Sequence, residues 1–177
     1  MDVGFIGLGK MGSRIVKSLS TSYNVTATDV NNKQRRKHQK VCNIVPSTTA
    51  LCASLTPPRV VWLMVPSEHV DEILSELIDN LQKGDIIIDA GNSHYKESIA
   101  RSSVLDEEGI QYLDIGTSGG TISHKLCMMV GGSKIAYRKI VPLLKTLCGD
   151  GYQYVGDTGS GHYVKMAHNA IEYGCMQ

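Results

Sequence analysis

An α/β fold built on a doubly wound, mostly parallel sheet is predicted by three observations. Short apolar runs rich in β-branched residues alternate with helical patterns along the chain. The two strongest runs, VVWLMV at 60–65 and IIIDA at 86–90, are apolar without alternation, as strands covered on both faces must be. Glycine supplies 18 of the 177 residues, above the usual ~7%, which suits tight turns and close backbone approach to a ligand.

Taken in order, residues 3–6 form a first strand that ends in glycines, and 11–19 a first helix. Residues 24–28 are β-branched and polar and form a second strand. Strands three and four are the runs at 60–65 and 86–90. Between them Val70, Ile73, Leu74, Leu77, Ile78 and Leu81 make one apolar stripe, which predicts a helix over 68–81. Helices follow at 95–107 and 135–147, the latter with Pro142 as a candidate kink. Weaker strands are expected at 111–115, 126–130 and 152–155. After the turn-rich GDTGSG at 156–161, a last helix runs over 162–177, where the sequence stops. The expected division is a nucleotide-binding domain over 1–156 and the start of a second, absent domain over 157–177.

Composition excludes several classes. Hydrophobic residues are 42% and charged residues 20%, close to globular averages. Eighteen basic against 17 acidic residues leave a net charge of +1, which argues against a nucleic-acid binder. No apolar run reaches ~18 residues, so no membrane span is expected, and the N-terminus lacks the pattern of a signal peptide. Cys42, Cys52, Cys127, Cys148 and Cys175 include no CxxC pair and are odd in number. That reads as reduced thiols in a cytoplasmic protein with no metal site.

Gly7-Leu8-Gly9-Lys10-Met11-Gly12 fits GxGxxG. The pattern alone is weak, but here it leaves a strand and opens a helix. In that setting the first glycine permits the turn, the second admits a pyrophosphate and the third lets the helix pack closely, as in a Rossmann-type fold. The helix N-terminus adds free N–H groups and a favourable dipole. The bland alternative is a chance turn. Asp29 ends the second strand 20 residues after Gly9. A carboxylate there accepts ribose hydroxyls and repels a 2′-phosphate, favouring NAD over NADP; the alternative is a simple helix N-cap. Lys33, Arg35, Arg36, Lys37 and Lys40, with His38 among them, read as a solvated helix face, with a 2′-phosphate contact as the competing reading that keeps NADP open.

In the common doubly wound order the first and fourth strands flank the crevice. Asn92, in the DAGNSH segment after the fourth strand, is therefore expected beside the cofactor. Gly116-Thr117-Ser118-Gly119-Gly120 opens onto the same edge after the fifth. In the last helix Lys165, His168, Asn169 and Glu172 stand at i, i+3, i+4 and i+7, within an arc of about 100°. These four make poor core and a plausible polar site wall carrying a base and an acid. A solvated face is the alternative, and two metal-ligand types without a third are weak evidence for a metal.

GFIGLGKMG, DAGNSHYKES, GTSGG and GSGHYVKMAHNAIEYGCMQ together resemble the decarboxylating 6-phosphogluconate dehydrogenases, in order and over essentially the whole chain. The last segment discriminates best from other β-hydroxyacid dehydrogenases. The resemblance implies oxidation of 6-phosphogluconate at C3 and loss of CO2 to give ribulose 5-phosphate, in a cytoplasmic homodimer. It implies that Lys165 takes the C3 hydroxyl proton, a task for a lysine that is neutral at the working pH. Glu172 matches the acid that protonates C1, and His168 and Asn169 match residues that hold the substrate hydroxyls and the base. Tyr173 matches a phosphate contact, and Ser118, Gly119, Gly120 and Asn92 match substrate positions. Val65, in MVPS, matches a cofactor-lining turn. Asp29 and Val30 stand where NADP-preferring members carry Asn and Arg, which implies the NAD-using branch.

Three departures stand out. Thr121–Lys125 replaces a loop longer by about two residues, Cys175 replaces an Asp, and the large helical domain of the family does not follow. The chain alone is accordingly expected to bind nucleotide and to be inactive. A truncated nucleotide-binding protein and a dehydrogenase for a smaller hydroxyacid are the competing readings.

Overall fold

In a computed structural model, described over residues 1–119 and 126–176, the order is β1 (Asp2–Ile6), α1 (Lys10–Leu19), β2 (Asn24–Thr28), α2 (Asn32–His38), β3 (Asn43–Ile44), α3 (Thr48–Ala53), β4 (Val60–Leu63), α4 (Val70–Ile78), β5 (Ile86–Asp89), α5 (Tyr95–Glu107), β6 (Gln111–Ser118), β7 (Cys127–Gly132), α6 (Lys134–Cys148), β8 (Tyr152–Gly156) and α7 (Ser160–Met176). The strands form one sheet in the order β3-β2-β1-β4-β5-β6-β7-β8. All neighbouring pairs are parallel except β6 with β7, which is antiparallel. The doubly wound, mostly parallel expectation therefore holds.

Alternation along the strands explains why both faces are covered. Val3, Phe5, Val60, Trp62, Ile86 and Ile88 face a core completed by α1 and α6. Ile6, Val61, Leu63 and Ile87 face a second core under α3 and α4. Each fully buried side chain of this size stabilises the fold by about 1.5–3 kcal/mol. The helix expected over 68–81 is shorter: a 3₁₀ turn at Ser67–His69 precedes α4, and the α-helix stops at Ile78. Helix α6 continues through Pro142.

One element corrects the strand count. The two-residue β3 carries too little pattern to be seen in sequence, yet it pairs with β2. The run at 60–65 is thus the fourth strand, and it is the one that lies against β1. Asn92 follows β5, one strand further from the crevice than expected. Among the described residues no helix is long and apolar enough to cross a membrane.

Candidate cofactor and substrate site

The sheet reverses direction of growth at β1, which has β2 on one side and β4 on the other. That makes a crevice at the strand C-termini. The glycine loop lies there, and each glycine has a separate reason. Gly7 has φ +102°, and a Cβ on it would stand 2.3 Å from the Met64 carbonyl oxygen. A Cβ on Gly12 would stand 1.9 Å from the Gly7 oxygen, so close helix packing demands glycine. A Cβ on Gly9 would meet nothing within 4 Å. The protein's own packing does not need glycine at this position, and the space is what an approaching pyrophosphate requires. Helix α1 begins at Lys10 after Gly9, which as N-cap has no side chain to offer its first-turn N–H groups.

Asp29 is half-buried at the end of β2. Its carboxylate accepts the Leu8 N–H at 2.6 Å and the Asn31 N–H at 2.7 Å. It therefore ties the glycine loop to the β2 end, a role that the sequence did not disclose. A carboxylate offers about four lone-pair sites, so ribose hydroxyls still have acceptors. The basic cluster divides. Lys33, Arg36, Lys37 and Lys40 are exposed, whereas Arg35 donates to the Asp29 and Val30 carbonyl oxygens. His38 is 1% exposed and leaves the solvated face altogether. Val30 is fully exposed and offers no donor to a phosphate.

Next to the glycine loop lies the turn after β4. Val65 is half-buried there, with Cγ1 2.9 Å from where a Gly7 Cβ would be. The loop after β5 comes next. A Cβ on Gly91 would stand 2.7 Å from the Val65 oxygen, so the loops touch and hold Asn92 out toward solvent. The fully buried Asp89 shapes this loop by accepting from Gly91 N at 3.1 Å, Ser93 Oγ at 2.7 Å and Tyr112 OH at 3.0 Å. Burial, then Asp89, pushes the Tyr112 phenol well above its usual range.

Strand β6 and helix α7 build the remaining wall. Asp114, Gly116 and Ser118 alternate onto one face of β6. Asp114, fully buried, accepts Gly159 N–H and His162 N–H, both at 2.8 Å, and so caps α7. Two residues on, a Gly116 Cβ would stand 2.5 Å from Lys165 Cβ. The start of α7 is thus locked to the strand that delivers Ser118 and Gly119. Beyond Lys165 the helix opens to solvent. Asn169 is half-buried, Ile171 and Tyr173 are exposed, and the exposed His168 Nδ1 lies 3.5 Å from Glu172 Oε2. Gly120 and the 121–125 segment, with the shortened loop, lie outside the described residues.

Residues 2–156 match the family described as the NAD binding domain of 6-phosphogluconate dehydrogenase. The chain belongs to the 6-phosphogluconate dehydrogenase family. It is 38% identical over 184 residues to the NAD(+)-dependent, decarboxylating 6-phosphogluconate dehydrogenase of Haloferax volcanii, covering 100% of this chain and 60% of that one. It is 38% identical to the decarboxylating enzyme of Cunninghamella elegans, covering 99% and 40% respectively. The Plasmodium falciparum 6-phosphogluconate dehydrogenase, solved with NADP+ and with 6-phosphogluconate, superposes with a TM-score of 0.91 at 33% identity, over 99% of this chain and 41% of that one. A Mycobacterium tuberculosis 3-hydroxyisobutyrate dehydrogenase, 22% identical with a TM-score of 0.87, shares the fold. The chain spans about 40–60% of the length of the two curated relatives named above.

As a member of the 6-phosphogluconate dehydrogenase family the chain carries an NAD(P) site, and its residues fit that group. The unfilled space at Gly9, the uncapped α1 and the carboxylate at the β2 end form one continuous edge. Gly7–Gly12 would hold the pyrophosphate and Asp29 the adenosine ribose. Asp29→Ala removes the tie to Leu8 and, with it, the carboxylate that would accept the ribose hydroxyls. With charged hydrogen bonds at about 1.5–3 kcal/mol, NADH affinity is expected to fall roughly 10–100-fold. NADPH loses less, because the repulsion of its 2′-phosphate goes too. Titration of both nucleotides by fluorescence checks this, and tighter binding of NADPH than NADH by the unaltered chain shifts attention to Arg35 and Arg36. The residues that brace this edge and were not singled out in the sequence include Asp89 and Asp114, through their bonds to the loop after β5 and to the start of α7. Their only signal in the sequence is a carboxylate inside a strand run, where an unpaired charge is not tolerated.

Proposed function

We propose that this domain serves the oxidative decarboxylation of 6-phosphogluconate to ribulose 5-phosphate and CO2, with NAD preferred over NADP. The observation that carries this reading is the docking of Lys165 against Gly116 on the strand that leads to Ser118. It supports a base above a loop of small residues, at the same sheet edge as the glycine loop. Bound NAD(P) supplies the hydride acceptor. Lys165 takes the C3 hydroxyl proton while Ser118, Gly119 and Asn92 hold substrate oxygens. Loss of CO2 from the 3-keto acid leaves an enediol, which Glu172 protonates at C1, with His168 at 3.5 Å as its partner. Asn169 holds a substrate hydroxyl and Tyr173 reaches the phosphate.

The test is calorimetric titration of NADH and NADPH, each with and without 6-phosphogluconate. The proposal expects NADH to bind more tightly and 6-phosphogluconate to bind the NADH-loaded chain. A short hydroxyacid such as 3-hydroxyisobutyrate is the control. Binding of that acid in preference to 6-phosphogluconate would overturn the substrate assignment. The open outer half of α7 exposes His168, Glu172 and Tyr173. Turnover by the 177-residue chain alone is accordingly expected to be negligible, as productive orientation carries roughly 7–11 kcal/mol of a barrier.

A further inference from the structure

Arg101 is the buried centre of a charge network that the cofactor and substrate assignments leave unused. Its side chain is 6% exposed on α5. Nε lies 2.6 Å from Asp71 Oδ1 and Nη2 lies 3.2 Å from Asp71 Oδ2, a forked pair to the first turn of α4. Nη2 also donates to the Ser67 carbonyl oxygen at 3.4 Å, inside the turn after β4, and lies 3.3 Å from Glu97 Oε2. Nη1 lies 3.7 Å from Asp89 Oδ2, the carboxylate that organises Gly91 and Ser93. The geometry is bidentate, which a guanidinium provides and an ammonium does not. The Asp71 carboxyl is held below its usual range by this bond.

The two segments so joined occupy a definite place along the crevice. In a doubly wound dinucleotide fold the adenosine ribose lies at the β2 end and the pyrophosphate at the start of α1. The other half of the cofactor continues past β1, over β4 and β5. Its floor there would be the Val65 turn and the Gly91–Asn92 loop, which touch at the Val65 oxygen. We propose that Arg101 is a positioning residue for the nicotinamide half of the cofactor: it fixes the turn after β4 and the loop after β5 as one surface, through Ser67 and Asp71 on one side and Asp89 on the other. The inference rests on the NAD(P)-binding reading and is independent of which hydroxyacid is oxidised.

The experiment compares NADH with ADP-ribose, which lacks the nicotinamide, on the 177-residue chain. Arg101→Met is expected to weaken NADH by about tenfold or more, which is about 1.4 kcal/mol, the size of one hydrogen bond's contribution. ADP-ribose, held by the glycine loop and Asp29, should stay within about twofold. Arg101→Lys keeps the charge and loses the fork, and should lie between Arg101→Met and the parent. Because Arg101→Met leaves Asp89 buried and uncompensated, it carries a risk of unfolding. Asp71→Asn supplies the second arm. Asp71 is 75% exposed, so its replacement spares the fold while removing the anchor of the guanidinium. It should produce the same selective loss of NADH in smaller measure. An equal loss of NADH and ADP-ribose in folded variants, or no loss of either in Asp71→Asn and Arg101→Lys, overturns the proposal. Failure of the parent chain to bind NADH would instead sink the cofactor assignment itself.

Discussion

Lys165→Met, in a full-length protein carrying this domain, is expected under the proposed function to lower 6-phosphogluconate oxidation by about 10²–10⁴-fold, the range of general base catalysis. Each tenfold corresponds to about 1.36 kcal/mol of transition-state stabilisation. Methionine retains an unbranched stem of similar length, so the packing of the Cβ against Gly116 survives. What is lost is the nitrogen that, under the proposed function, receives the proton. NADH affinity should change by less than about twofold, because the glycine loop and Asp29 lie on β1 and β2 while Lys165 lies over β6. Glu172→Gln should differ in kind: hydride transfer continues, and the step after CO2 loss slows. The two are separated by following NADH formation and ribulose 5-phosphate formation in the same reaction. Near-normal turnover by Lys165→Met would remove the lysine from the role of base.

Gly161→Ala should be the most destabilising single methyl added to the domain's second half. A Cβ there would stand 2.2 Å from the Asp114 oxygen, 2.6 Å from the Met129 oxygen and 3.0 Å from Asp114 Oδ2. The first two are backbone atoms of β6 and β7, which pair Gly116 with Met129 and Asp114 with Gly131, so neither moves without breaking the ladder. Helix α7 must lift instead. Lifting strains the bonds from Gly159 N and His162 N to the buried Asp114. Overpacking costs about 1–3 kcal/mol, and each buried group left unsatisfied adds about 1–3 kcal/mol. A loss of at least about 3 kcal/mol is expected, which for a domain of this size lowers Tm by roughly 6–12 °C. Calorimetry measures it, and amide exchange at residues 160–165 shows whether α7 is the part that opens. Gly174→Ala is the control: a Cβ there meets nothing within 4 Å, so its Tm should not fall. An unchanged Tm in Gly161→Ala would mean that α7 is not held as described.

The network at Asp89 shows how far the sequence reaches. IIID at 86–89 reads plainly as a buried strand, and the strand is there. That its terminal aspartate organises Ser93 and meets a guanidinium on α5 is invisible in the run itself, because Arg101 resembles any other charge on a helix. Three of the thiols behave similarly. Cys42, Cys52 and Cys148 read as unpaired, and burial, the leading cause in each, pushes them up to about 11, away from nucleophilic roles.

The alternating apolar runs determined the α/β class, and GxGxxG determined the tight turn between the first strand and the first helix. The i, i+3, i+4, i+7 spacing put Lys165, His168, Asn169 and Glu172 on one helical face. These are local properties, set by the period of a strand or helix and by which backbone angles glycine alone permits. Strand order, by contrast, turned on the two-residue β3, which moved Asn92 one strand from its expected place. The Asp29 tie to Leu8 spans 21 residues, the Arg101 pair with Asp71 spans 30, and the Asp114 cap on α7 spans 45 and 48. Hydrogen bonds of that reach have no sequence period. Their partners meet only after the sheet has set which strand ends are neighbours, and so the tertiary structure decided how the loops and the helix of the site are held.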